Sequence, residues 1–310
     1  MKPDPRFRSQ PPTFWAYVRS ISEWVGYTNR KNRKDKVSRI KVPSPNEIWD
    51  CLHALQLAPE PLLTPEKQLT ELGQRLQSYF EHRAEVLNNQ VEPALQTAKQ
   101  AAALFSKVRK DLKSQLPVPM NKQKGEKKKP AYFTGLVNML IDAHRGPYRC
   151  DYDPRVLTAF TKGGVPVRTL SRRVDGAFPA AINPAAIWEI KEYYYTTTFG
   201  SRVADGVYET QLDGMEIEEM RVAERIVAKH YLFLDAHYTW WECGKSYLCR
   251  IFDMVNMGLV DEAIVGRDVV TRVPELVAEW IGIMKNERSI EDLPKAPLDA
   301  GAGNASHADK

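Results

Sequence analysis

"IWEIKEYYYTT" occupies residues 187–197, and its reading decides the fold. Its β-branched and aromatic residues predict a strand. Yet Glu189 and Lys191 break what otherwise reads as a buried run. Side chains alternate across a strand, so Trp188 and Ile190 project to one face while Glu189 and Lys191 share the other. The apolar pair then serves the core, only that face is expected to be buried, and the charged pair makes a patch. A simple salt bridge would also account for that patch.

Upstream, "RRVDGAF" (172–178) predicts a second strand, with Asp175 at its end and Gly176 permitting a sharp exit. "FPAAINPAA" (178–186) then loops into the strand above, and such a hairpin brings Asp175 beside Glu189. Two carboxylates and the backbone carbonyl of Ile190 form an oxygen-rich ligand set suited to Mg2+. A metal there would polarise a phosphate, and a neighbouring lysine would stabilise developing negative charge. Asp175, Glu189 and Lys191 therefore suit phosphodiester hydrolysis better than acyl transfer.

Working outward, "AYFTGLVNMLIDAHR" predicts a helix before the hairpin, and helices and strands alternate after it to about residue 287. Strands followed by a β-α-β-α alternation indicate an α/β fold, a mixed central sheet flanked by helices on both faces. Residues 13–116 read as a helical region serving DNA binding, dimerisation or both. It includes "SPNEIWDCLHALQL", where Ser44 and Glu47 make a capping box with Pro45 at the first helical position. A second cap is expected at Thr64 with Pro65, and a break or restart at Pro93. Residues 1–12 are Pro-rich and read as disordered, 117–130 as a basic linker, 131–287 as the catalytic core and 288–310 as a flexible tail.

The net charge of +5 is mild, but the cations cluster in 29–41 and in 107–129, where nine Lys or Arg face two acids. Such clusters suit a polyphosphate partner, though a solvated helix or loop face explains them equally well. No run is long enough for a membrane span, no secretory signal opens the chain, and four scattered cysteines fit a reduced, cytoplasmic protein. His237, Cys243 and Cys249 lack the spacing of a zinc pair, and Trp240 and Trp241 read as core or interface rather than a base-stacking platform.

"VDG" followed by "WEIK" resembles the D-x(n)-(D/E)-x-K signature of PD-(D/E)xK nucleases. Asp175, Glu189 and Lys191 match its three catalytic positions, with Val174 where a proline is usual. The order of elements is also similar, and a helical N-terminal region is most like type II restriction endonucleases. The resemblance implies a restriction-endonuclease-like core, Mg2+ held by Asp175, Glu189 and the Ile190 carbonyl, and cleavage of double-stranded DNA. A homodimer cutting a palindrome and a cognate DNA methyltransferase in the same system are implied as partners. Auxiliary roles fall to Gln211, Asp142 and Asn138. Candidate DNA contacts are Arg30, Lys31, Arg33, Lys34, Lys36, Arg39, Lys41, Arg172, Arg173, Tyr193, Thr196 and Arg202. Two alternatives stay open: a nuclease of DNA repair or another anti-phage system, and a non-catalytic helical DNA-binding or scaffold protein.

Overall fold

The apolar residues of "AIWEIKE" make it a central strand rather than an edge. In a computed structural model, which describes residues 1–29, 38–121, 125, 128–195 and 200–291, this stretch is β4 (Ala186–Glu192) of a four-stranded sheet. Its neighbours are β3 (Gly176–Phe178) and β5 (Lys229–Asp235), with β6 (Glu262–Val265) outermost, in the order β3-β4-β5-β6. β3 runs antiparallel to β4, while β4, β5 and β6 are mutually parallel. Parallel neighbours need crossovers, and helices α8 (Ser201–Glu224) and α9 (Lys245–Asn256) supply them. A separate hairpin, β1 (Ala159–Lys162) with β2 (Val165–Thr169), precedes the sheet. The fold is thus α/β with a mixed sheet.

The remaining helices are α1 (Pro5–Arg8), α2 (Pro12–Val25), α3 (Pro45–Ala54), α4 (Glu71–Val86), α5 (Glu92–Ala94), α6 (Ala98–Leu112), α7 (Tyr132–His144) and α10 (Val269–Glu291). Against one sheet face pack α6, α7 and α10, where Trp188 stacks on Trp280 at 5.3 Å. The other face carries α8 and α9, and the N-terminal helices join the same core through Phe14, Ile48, Phe80 and Leu87. Gly176 explains the close β3–β4 contact, since a Cβ there would lie 2.1 Å from the Trp188 ring.

Several expectations are corrected. Residues 1–12 are not a loose arm: Asp4 caps α1, Phe7 is buried against Tyr79, and the Asp4 amide donates to Asn256 Oδ1. Thr64 and Pro65 sit in a turn, and α4 is capped by Thr70 instead. The break and restart expected at Pro93 is present: α5 ends at Ala94 and the next helix begins at Ala98. A π-helical turn (Leu87–Val91) carries the chain into α5, and Thr97 with Gln100 caps α6. The segment 117–130, of which 117–121, 125 and 128–130 are described, joins α6 and α7, whose residues pack in one core. α10 runs to Glu291, past the expected start of the tail at 288. Among the described residues no helix is long and apolar enough to cross a membrane.

Candidate functional site

Asp175 immediately precedes β3, so it opens that strand rather than closing a preceding one. Its amide donates to the Trp188 carbonyl at 3.1 Å, and its Oδ2 accepts the Ile190 amide at 2.9 Å. The side chain thus takes over a β4 backbone donor where the β3 ladder ends. Asp175 therefore stands beside Glu189, as the hairpin reading required.

The charged face of β4 is not open to solvent. Helix α8 lies over it, leaving Glu189 0% and Lys191 6% exposed. Gly206 permits the approach: a Cβ there would meet the Tyr193 hydroxyl at 2.6 Å and Lys191 Cδ at 3.3 Å. Lys191 Nζ donates to Glu189 Oε2 at 2.8 Å and to Glu209 Oε2 at 3.1 Å. Arg172 reaches the same carboxylates. Its Nη1 lies 2.8 Å from Glu189 Oε1 and 2.7 Å from Asp213 Oδ2, and its Nη2 lies 3.3 Å from Glu209 Oε2.

These charges set the proton affinities. Burial alone would raise Glu189, but Lys191 and Arg172 outweigh it and hold the carboxyl below its ordinary value. Burial would lower Lys191, yet the charges of Glu189 and Asp175 raise it, so the ammonium stays charged across the neutral range. Asp213 goes the other way: burial first, then repulsion from Glu189, push it up to about 7 despite Arg172.

A cleft of about 570 Å³ opens onto this cluster. Asp175, Ile190, Lys191 and Tyr193 line its floor, α8 contributes Asp205 and Glu209, and Asn138 projects from α7. Pro117, Pro119, Met120 and Pro130 of the expected linker form a wall.

Of the auxiliary candidates, Asn138 is thus in the cleft, with a buried Oδ1 that has no hydrogen-bond partner. Asp142 is not; it pairs with Arg145 at 2.8 Å and accepts from Tyr152. Gln211 contacts Met215 and does not line the cleft, because two helical steps turn it away from Glu209 and Asp213. Among the expected DNA contacts, Arg172 is an internal partner of carboxylates, Tyr193 is buried beside Trp240, and Lys41 is paired with Glu47 at 2.5 Å. Arg39 and Arg173 are exposed. Arg30, Lys31, Arg33, Lys34, Lys36 and Thr196 lie outside the described residues, as does the side chain of Arg202.

Glu209 and Asp213 were missed from the sequence. The signal was present: α8 buries Val203, Val207, Thr210, Ile217 and Met220 on one stripe, and Asp213 sits in that stripe at helical spacing. A carboxylate on an apolar stripe calls for a cation nearby.

A hard divalent cation is tested by this donor set. Asp175, Glu189, Glu209 and Asp213 outnumber the cations Arg172 and Lys191, and Asp213 keeps one buried oxygen without a hydrogen-bond partner. By donor type alone these oxygens suit a hard ion, but their placement does not. In this conformation the guanidinium of Arg172 fills the space between the carboxylates, and among the described residues no group of three or more His, Cys, Asp or Glu is spaced to hold a metal.

The family model described as a domain of unknown function, DUF7687, matches residues 96–280, and a second, domain of unknown function DUF7690, matches residues 1–90. No curated protein and no solved structure matches the chain.

Proposed function

We propose that this chain, which belongs to the family of the domain of unknown function DUF7687, is a Mg2+-dependent endodeoxyribonuclease acting on double-stranded DNA, of the type II restriction kind. The reading rests on one juxtaposition. Asp175, just before β3, stands beside Glu189-x-Lys191 on β4, with Asp175 bonded to the Ile190 amide and with Asp175 and Lys191 lining one cleft over the buried Glu189. That is the arrangement which the likeness to PD-(D/E)xK nucleases implies.

Asp175 and Glu189 would hold Mg2+ with the Ile190 carbonyl. When bound, the ion would offset the negative charge that builds on the scissile phosphate. The chain's own groups do the rest. Lys191 keeps its proton at neutral pH, so it donates to a phosphate oxygen and does not act as a base. Asn138 offers an amide from the opposite wall to position the backbone. The outer face of α8 exposes Tyr208, Leu212, Met215 and Val222 at helical spacing, an apolar stripe that would suit a second copy.

The closed ion-pair cluster favours a second reading, a DNA-binding scaffold in which Glu189 and Lys191 are only structural. Incubation of the purified protein with unmethylated plasmid and phage DNA, with and without Mg2+, separates the two. The nuclease reading expects metal-dependent cleavage into discrete fragments, with Asp175→Ala and Lys191→Ala each slowed by about a hundredfold or more. Binding without cleavage, or cleavage undiminished in both variants, would sink it.

A further inference from the structure

We infer that the C-terminal turn of α6 is a seat for the phosphate backbone of duplex DNA, with Arg109, Lys110 and Lys113 as its cations. The inference rests on the DNA-acting part of the reading above and extends it to residues outside the cleft.

The cleft does not supply that attraction itself. Five carboxylates line it, Asp205 and Glu209 among them, against the two cations Arg172 and Lys191. Such a lining repels a polyanion, so affinity for the backbone has to come from cations beyond it. Those cations stand at the rim. Arg109, Lys110, Lys113, Ser114 and Gln115 line one groove, and Leu116, the next residue, lines the cleft. From Lys113 to Leu116 an extended chain spans at most about 11 Å, roughly three phosphates of one strand. Exposed Lys128 and Lys129 lead into Pro130, so cations bracket the wall segment at both its ends.

The groove offers what a phosphate needs. Among the described residues no carboxylate lines it. Asp111 does not, because two helical steps from Arg109 turn it to another side of α6. An aromatic ring holds Arg109, whose guanidinium lies 5.8 Å from the centroid of Phe105. Lys110 and Lys113 are exposed. Ser114 Oγ accepts the Leu116 amide at 3.3 Å, which leaves its own proton for a phosphate oxygen.

Cations at a helix end also offset its dipole, which would account for Arg109 and Lys110. Lys113 goes beyond that. It takes the left-handed conformation that ends α6, with φ 50° and ψ 34°, where glycine is the ordinary residue. Glycine would relieve the backbone and leave the other two cations facing the dipole. A lysine held there in spite of the strain points to a use for its charge.

The test is binding of a short labelled duplex to the full chain, read by fluorescence anisotropy in EDTA over a range of KCl concentrations. The triple variant Arg109→Gln, Lys110→Gln, Lys113→Gln is expected to bind roughly tenfold or more weakly and to lower the salt slope by about 2–3. Lys113→Gly is expected to lower the slope by about 1 and yet to raise the melting temperature by about 2 °C, since strain leaves with the charge. Lys99→Gln, in the first turn of α6 and about 20 Å away, is expected to change neither. An unchanged slope in the triple variant or in Lys113→Gly, or one lowered equally by Lys99→Gln, overturns the inference. So does a triple variant that keeps its hold on DNA and loses binding to vesicles of anionic phospholipid, which would assign the patch to a membrane surface. Neither arm depends on cleavage. DNA left uncut while the triple variant loses affinity removes the nuclease and keeps the seat. Cleavage by wild type with an unchanged slope does the reverse.

Discussion

At Asp213 the sequence placed a carboxylate among apolar neighbours, and the fold sealed it there. Its proton affinity, raised to about 7 by burial and by Glu189, has a thermodynamic consequence. Between the ordinary value of 3.8 and about 7, the native state holds a proton that the unfolded chain has lost. The group's stabilising contribution is therefore complete below 3.8 and is lost as pH rises through about 7. Asp213→Asn abolishes that slope, and its stability relative to wild type should improve with rising pH, by of the order of a few kcal/mol in total. Urea midpoints between pH 4.5 and 7.5 measure this, and parallel profiles for the two proteins would refute it. Asp235, also raised to about 7 by burial, adds a slope of the same sign in both proteins and so cancels in the comparison.

At the scale of elements, α8 decides what becomes of the β4 face. Its length and stripe are legible from spacing, but its two interior glycines weaken a helix. Their role is closeness: Gly206 fits over Lys191, and a Cβ at Gly214 would lie 2.4 Å from the Leu259 carbonyl oxygen. Gly214→Ala should lower stability by about 1–2 kcal/mol, since the clash with backbone outweighs the better helix propensity. Gly282→Ala on α10, where a Cβ meets nothing within 4 Å, should raise it by about 0.5–1 kcal/mol. Thermal melts of the pair check the sign. If Gly214→Ala melts higher than wild type, the close packing of α8 is wrong. The cap of α3 needed no such context: Ser44 accepts the Glu47 amide at 3.3 Å, and the Glu47 side chain accepts the Ser44 amide at 3.0 Å. Caps are local, which is why this one could be read directly.

Across the whole molecule, the two matched regions share one core. Buried Arg83 of α4 pairs with Asp253 of α9 at 3.2 Å, and Tyr79 donates to the same carboxylate at 2.5 Å. Phe7, 2% exposed, packs on Tyr79 from the first helix. Residues so interlocked should unfold together. Phe7→Ala is expected to lower stability by about 3–5 kcal/mol while leaving a single transition. Denaturation followed by far-ultraviolet dichroism and by tryptophan fluorescence tests this. An early, separate loss of the N-terminal helices would contradict it.

What the sequence determined by itself was local or periodic. The alternation in 187–191 set the strand and its two faces, spacings of three and four set the helices, and Trp240 and Trp241 were core, as their burial bears out. The pairing of Asp175 with the strand carrying Glu189 and Lys191 was also legible, because a short connection joins the two strands. Tertiary structure alone decided that both faces of β4 are covered, that Arg172 turns inward, and that Glu209 and Asp213 join the cluster. Those outcomes depend on α8 docking across β4 and on Arg172, contacts between residues 18 apart (Lys191 and Glu209) and 41 apart (Arg172 and Asp213) in the chain. No spacing encodes that register. It emerges from the fit of glycine against lysine and from the cost of leaving a buried charge without a partner.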